Sequence, residues 1–276
     1  MRKKFLLLSG AVLALSLAVK AQAGETFQFA PPPFPVLNLR SVDIEKNSGF
    51  DYIGMKVGGF KFNAFNFGGS RAIKYWDRGG FSLGGNAMII LGSGNFGYGK
   101  MNMFGEGFGV QPNWYFDLKG DEEDDFSLPI YFGPHVTFNM LMGSVSSSYT
   151  LLGNTYTNSM FITATTIMYG WQAGIQAGVN LNDSIKFIPY VDFSQEAGGS
   201  MATSFSSGYG SGSTSASIKA TPVTMSPGFD FKLRKINLSL GGAVQSSKSA
   251  SGSGEKTKTT VFHLRFQTKF RSICGF

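Results

Sequence analysis

Two histidines are the chain's scarcest acid–base groups, His135 and His263. His135-Val136-Thr137 sets an imidazole and a hydroxyl two residues apart, hence on one face if the segment is extended. A hydroxyl becomes a nucleophile only beside a base, and the base in turn needs an acid or amide to orient it. His263 has no hydroxyl two residues on; it shares its face with Arg265, Gln267 and Lys269. The spacing therefore admits one catalytic pair, His135 with Thr137. The competing reading makes His135, Asn139 and His263 members of a hydrogen-bonded polar interior.

Other chemistry-bearing clusters are weaker. Asp121-Glu122-Glu123-Asp124-Asp125 has the oxygen density to hold Ca²⁺ but neither the ligand spacing nor the glycine of a calcium loop, so it reads as a solvated turn. Gly105-Glu106-Gly107-Phe108-Gly109 opens no helix and is no phosphate loop. Cys274 is the single cysteine, so there is no disulfide and no Cys/His metal spacing. It reads as a small hydrophobe in the tail, and no metal or cofactor is expected.

The elements that carry these groups read as strands. Val261 to Phe270 places Phe262, Leu264, Phe266 and Phe270 on one face and His263, Arg265, Gln267 and Lys269 on the other. Similar alternation runs over Phe81–Gly92, Met101–Leu118, Phe126–Met142, Ile167–Leu181, Ile185–Ser194, Val223–Leu233 and Ile236–Gln245. Tyr52–Phe65 also alternates, with a shift at Gly58-Gly59 that reads as a bulge. The polar face is Gly, Ser, Thr, Asn and Gln, with the charges Asp117, Lys186, Asp192, Asp230, Lys232, Arg265 and Lys269. Those charges either pair and plug a narrow interior or line an ion path. Glu106 falls on the apolar face, which places it at headgroup level near the end of its strand. Pro134, Pro189, Pro222 and Pro227 sit within these segments, where each removes a ladder donor.

Composition agrees with strands that meet lipid. Of 276 residues only 15 % are charged, 37 are Gly and 27 are Phe, and mean hydropathy is +0.01. Arg2-Lys3-Lys4, an apolar run to Val19 and Ala21-Gln22-Ala23 form a signal peptide over residues 1–23. Without its four cations the formal charge of +7 falls to +3, which removes the case for nucleic acid. No later apolar run is long enough for a helical span. A closed antiparallel up-and-down β-barrel satisfies these facts together, because every backbone group is then paired within the sheet. Ten strands are expected, the first near Val36–Ile44, with eight as the alternative. Residues 24–50 form a Pro-rich lead-in with a possible first strand, 51–270 the barrel and 271–276 a tail. Short connections (Lys119–Asp125, Asn182–Ser184, Arg234-Lys235) alternate with long ones (Gly143–Thr163, Gln195–Ser217, Ser246–Lys258). The short ones would be periplasmic and the long ones extracellular.

Alternation, loop asymmetry, leader and the aromatic strand end at Phe266 and Phe270 make the chain resemble the small bacterial outer-membrane β-barrel proteins. That resemblance implies an outer-membrane location, contact with lipid and lipopolysaccharide, and a C-terminal phenylalanine read by the barrel-assembly machinery. It covers surface barrels, narrow channels and barrel enzymes alike. A non-enzymatic structural, surface-interaction or narrow-channel role is expected, with a lipid-modifying enzyme using His135 and Thr137 as the alternative. Lys248, Lys256 and Lys258 could pair with lipopolysaccharide phosphates.

Overall fold

A computed structural model describes residues 44–57, 60–96, 99–120, 125–151, 154–208, 210–220, 222–248 and 256–269. Residues 1–43 and 270–276 lie outside it. So do the leader, the Pro-rich stretch, nearly all of the strand expected at Val36–Ile44, Phe270 and Cys274.

The strands are β1 (Ile44–Val57), β2 (Phe60–Trp76), β3 (Gly79–Phe96), β4 (Gly99–Asp117), β5 (Phe126–Ser127), β6 (Pro129–Leu151), β7 (Asn154–Gln176), β8 (Gly178–Asn182), β9 (Ile185–Ser207), β10 (Gly210–Ile218), β11 (Thr224–Leu233), β12 (Leu238–Lys248) and β13 (Lys256–Lys269). Ten of them close an antiparallel ring in the order β1-β2-β3-β4-β6-β7-β9-β11-β12-β13, and β13 returns to β1. The closing register sets Tyr52 opposite Phe262 and Phe50 opposite Leu264. β5 and β8 pair with each other at the short-turn end, beyond β6 and β7. β10 pairs with the upper part of β9, on the side where β11 pairs with its lower part. Closure leaves the ring itself no sheet edge.

Three expectations about connectivity are corrected. Tyr52–Phe65 is not one bulged strand: Tyr52–Val57 ends β1, Phe60–Phe65 opens β2, and Val57 faces Phe60 across a hairpin. A two-residue turn shifts the alternation by one, which in sequence looks like a bulge. Gly143–Thr163 and Gln195–Ser217 are not long loops. β6 and β7 pair as far as Leu151 opposite Asn154, and β9 and β10 as far as Ser207 opposite Gly210. Their Ser and Gly content mimics a loop, yet main-chain pairing does not depend on it. Ile236 belongs to a 3₁₀ turn, Arg234–Ile236, closed by Asn237 in the left-handed region (φ 51°), and β12 begins at Leu238. Of the strand prolines, Pro222 precedes β11. Pro134 lies beside Pro112, where the β4–β6 ladder skips Gln111 to Asn113 for want of amide donors.

Glycine has a definite place in this ring. Ten large inward side chains each lie directly opposite a glycine of the next strand: Phe62 over Gly92, Tyr115 over Gly80, Gln111 over Gly84, Asn86 over Gly109, Asn139 over Gly107, Tyr131 over Gly174, His135 over Gly170, Gln172 over Gly133, Tyr190 over Gly228 and Asp230 over Gly241. At all ten glycines an added Cβ would crowd a neighbouring side chain or backbone atom. The facing glycine is what lets a long side chain fold across the interior of a narrow barrel.

The faces reverse in polarity along the strands. At the short-turn end the outward face is apolar and aromatic. Phe81 meets Trp114 in a tilted contact at 5.2 Å, Trp114 stacks on Phe132 at 5.7 Å, and Phe187 meets Phe231 at 5.2 Å. The inward face there is polar: Asp51, Asn66, Ser82, Asn113, Asp230 and Ser239 are fully buried. At the hairpin end the inward face becomes apolar, with Ile53, Met55, Phe62, Ile90, Met101, Met103, Val145 and Ile162 in one buried cluster. The outward face there carries Lys61, Asn63, Ser93, Lys100, Asn102, Ser144 and Ser146. The expectation of a polar inward face throughout therefore holds for only part of the interior. On single strands the change falls between Asp51 and Ile53, between Asn66 and Ala64, and between Asn86 and Met88. Outward apolar side chains run from Phe81 to Leu91 on β3, past the inward change, and from Phe132 to Met142 on β6. Such runs match the roughly 9–11 residues with which a tilted strand crosses a hydrocarbon core.

Candidate functional site in the barrel interior

β6, β7 and β9 hold the densest polar chemistry. Inward positions on β6 are Tyr131, Gly133, His135, Thr137 and Asn139; those on β7 are Gln176, Gly174, Gln172 and Gly170; those on β9 include Asp192 and Glu196. Register brings Tyr131, Gly174 and Asp192 into one row and His135, Gly170 and Glu196 into another. Across each glycine the outer two side chains meet. The Tyr131 hydroxyl donates to Asp192 Oδ1 at 2.8 Å, and His135 Nε2 lies 2.9 Å from Glu196 Oε1. A Cβ at Gly170 would stand 2.9 Å from His135 Cε1, so a larger residue there would push the imidazole away from the carboxylate. Between the two rows Gln172 reaches the other way, across Gly133, and its amide donates to Asn113 Oδ1 at 2.7 Å. On the opposite wall Asn86 donates to Asn66 at 2.9 Å, and Asn66 donates to Asp51 at 2.8 Å.

A local irregularity aims Glu196. Lys186, Ile188, Tyr190, Asp192, Ser194 and Glu196 alternate inward; the β7–β9 register then shifts beside Gly170. From there the odd-numbered Met201, Thr203 and Phe205 take the inner face. Trp171, outward on β7, donates its indole hydrogen to Gln195 Oε1 at 2.9 Å and braces the outer side of the irregularity.

His135 and Glu196 form an oriented acid–imidazole pair, 4 % and 2 % exposed. The Thr137 hydroxyl has no hydrogen-bond partner, although it is inward and buried as its spacing predicts. Imidazole Nδ1 is likewise without one. The arrangement can hold a proton and tie β6, β7 and β9 together.

The other sequence candidates fall as follows. Asn139, Asp230, Lys232, Lys186 and Asp192 are inward and buried. Lys186 stands opposite Lys232 in register, and each has partners within the interior. Asp117 is half-buried at the end of β4. Phe262 and Phe266 are outward and 58 % and 52 % exposed, and Leu264 between them is half-buried. His263 is placed by the backbone opposite Asp51 and Gly241, Arg265 opposite Gly49 and Ser239, Gln267 opposite Asn47, and Lys269 opposite Ile44. Their side chains lie outside the described set. Glu106 is outward and exposed, yet Phe104 lies beyond it toward the hairpin end, so it is not at the strand terminus. Asp125 of the acidic cluster accepts a hydrogen bond from Asn180 at 3.3 Å. Among the described residues no three His, Cys, Asp or Glu side chains are grouped to hold a metal ion.

Glu196 is the participant that sequence reasoning missed. It lay inside the presumed loop Gln195–Ser217. Extending the β9 alternation by one step past Ser194 would have found it.

No protein-family profile matches the sequence, and no curated protein does. Among solved structures the chain is similar to the outer membrane protease OmpT of Escherichia coli, at 9 % identity and a TM-score of 0.49, over 82 % of this chain and 95 % of that one. It is similar to the translocator domain of the autotransporter NalP of Neisseria meningitidis, at 8 % identity and a TM-score of 0.37, over 94 % and 98 % of the two chains. It is also similar to Ail, the attachment invasion locus protein of Yersinia pestis, at 12 % identity and a TM-score of 0.28, over 81 % and 99 %.

Proposed function

We propose that the protein is a non-enzymatic outer-membrane barrel, closed to solutes, that holds a rigid β-sheet out from the membrane for contact with an external partner. The observation that carries this is the reversal of polarity along the strands. Outward aromatics suit lipid at the short-turn end, whereas outward Ser, Asn and Lys over an apolar interior suit water at the hairpin end. The apolar cluster around Phe62, Ile90, Met101, Met103 and Ile162 fills the path a solute would take. The barrel enters its membrane after removal of the N-terminal leader, and Lys248, Lys256 and Lys258 meet lipopolysaccharide phosphates at the hairpin end.

A planar-bilayer recording of refolded protein tests the closed lumen: absence of stable conductance steps is expected, and reproducible steps overturn it. The His135–Glu196 pair favours the enzymatic alternative only in part. Both groups face inward and are buried, while lipid meets the outer surface. Incubation with phospholipid and lipopolysaccharide should release no acyl chains. Release that disappears in His135→Ala would overturn the non-enzymatic reading.

A further inference from the structure

Five lysines gather on one side of the hairpin end, on four neighbouring strands: Lys61 on β2, Lys56 on β1, Lys258 and Lys256 on β13, and Lys248 on β12. The register puts three of them in one row. Lys61 stands opposite Lys56, and Lys56 opposite Lys258. In the next row up, Lys256 stands opposite Lys248. Lys56 and Lys61 are exposed on the outer face. Thr259, Val261, Ala243 and Gln245 are inward and buried, so alternation gives Lys258, Lys256 and Lys248 backbone positions on the outer face as well. From strand spacing and rise, the five positions share a patch about 14 Å wide and about 7 Å high.

Like charges directly opposite each other destabilise a sheet, and nothing on these strands offsets them. β2, β12 and β13 contain no Asp or Glu. In β1, Asp51 points inward and is fully buried, and Glu45 lies at the other end of the strand. Glu106, an outward acid, is two strands from Lys61 and four residues lower, in the row of Phe65 and Ile89. Continued past Lys61, the lysine row is neutral, with Ser93, Asn102 and Ser144. The repulsion thus falls on the seam between β1 and β13, where the first and last strands close the ring.

The height of the patch indicates its counter-charge. Lys56, Lys61 and Lys258 each stand four residues above the last outward aromatic of their strand, Tyr52, Phe65 and Phe262, which form a row of their own. Tyr52 meets Phe65 at 5.5 Å and donates its hydroxyl hydrogen to Asn63 Oδ1 at 2.7 Å. An apolar ring with a polar tip suits the edge of a hydrocarbon layer. Four residues of a strand tilted by about 40° rise about 10 Å. Headgroups occupy about 5–8 Å on each side of the hydrocarbon core, and a lysine stem spans the remaining distance.

We propose that this patch seats the clustered phosphates of an outer-leaflet glycolipid across the seam, so that the bound lipid clamps the first strand of the barrel to the last. One phosphate on each row meets lysines of at least two strands through charge-assisted hydrogen bonds. Binding removes the repulsion between β1 and β13 and stabilises the closed ring. The inference rests on the reading that lysines at the hairpin end meet lipopolysaccharide phosphates. It adds Lys56 and Lys61, across the seam, to Lys248, Lys256 and Lys258.

The probe is fluorescent bisphosphorylated lipid A in neutral-detergent micelles, titrated into refolded full-length protein at low ionic strength and followed by anisotropy. The double variant Lys56→Gln, Lys61→Gln should bind at least roughly tenfold more weakly than the parent, about 1.4 kcal/mol. Lys100→Gln, whose cross-strand neighbours are Asn95 and Ser146, should bind as the parent does. In urea without lipid, the double variant should unfold at a higher concentration than the parent, because a repulsion has been removed. Its weaker binding is then no folding defect. With lipid A the order should reverse. Equal binding by parent and double variant, equal binding of dephosphorylated lipid, or displacement by equimolar inorganic pyrophosphate, the mark of a free-anion site, would each overturn the proposal. So would a lipid-free double variant less stable than the parent. Binding lost only when Lys248, Lys256 and Lys258 are replaced by Gln would leave the earlier reading standing and sink this one. Conductance steps from a protein that still shows the clamp would sink the closed lumen alone.

Discussion

The short-turn and hairpin ends of this barrel are built from the same ten strands with opposite amphipathic sense. Toward the short turns, Phe81, Trp114, Phe132 and Phe231 point out, and Asp51, Asn113, Asp230 and Lys232 point in. Toward the hairpins, Phe62, Ile90, Met103 and Ile162 point in, and Lys61, Ser93, Asn102 and Ser144 point out. Period-two alternation continues across the boundary, so the backbone does not change; the side chains on each face do. The comparison also shows two ways to fill one lumen. Below, polar side chains fold over glycines to meet partners two strands away. Above, thioether and aliphatic side chains pack as in a soluble core.

Emptying each region in turn should have the largest effect. Phe62→Ala removes a side chain that is 2 % exposed inside the hairpin-end cluster and should cost about 3–5 kcal/mol. Phe161→Ala, at a position 63 % exposed on the outer face, should cost less than about 1 kcal/mol. Urea unfolding followed by tryptophan fluorescence measures both, and equal losses would contradict a core confined to the interior.

A charge scanned down one strand should locate the boundary. Phe108→Arg, outward in the apolar belt and 56 % exposed, should cost about 2–4 kcal/mol. Asn102→Arg lies on the same face of β4 and should change stability by no more than about 0.5 kcal/mol. Folded fraction is read from the altered mobility of unboiled protein. A larger loss at residue 102 than at 108 would place the lipid at the other end.

Smaller effects are expected within the polar interior. Glu196→Gln keeps a hydrogen-bond acceptor for His135 but removes the charge, and should cost about 1–2 kcal/mol; His135→Gln should cost a similar amount. The double variant should lose less than the sum of the two, because both act on one contact. Full additivity would mean that the pair is not coupled.

Much of the apolar belt is legible in the sequence. In the last strand Phe262, Leu264 and Phe266 alternate against polar residues with no exception, and the structure turns Phe262 and Phe266 outward. His135, Thr137 and Asn139 were readable as inward because side-chain direction in a strand follows from counting by two. The hairpin half was harder to read. There the inward residues are apolar and the outward ones are serines, the same alternation with its meaning exchanged.

Local sequence fixes the strand class and, over most of the ring, which residues share a face, because those depend on periodicity and on the cost of unpaired backbone in lipid. The ten strands expected match the ring in number, but the first two are drawn from other segments, β1 (Ile44–Val57) and β2 (Phe60–Trp76). Tertiary structure decided which face looks inward at each height, that Ser-rich segments continue as paired strands, and that Glu196 meets His135 across Gly170. Each of these depends on neighbours distant in the chain: the register of three strands, the space above a glycine, and whether lipid or water lies outside the wall at that level.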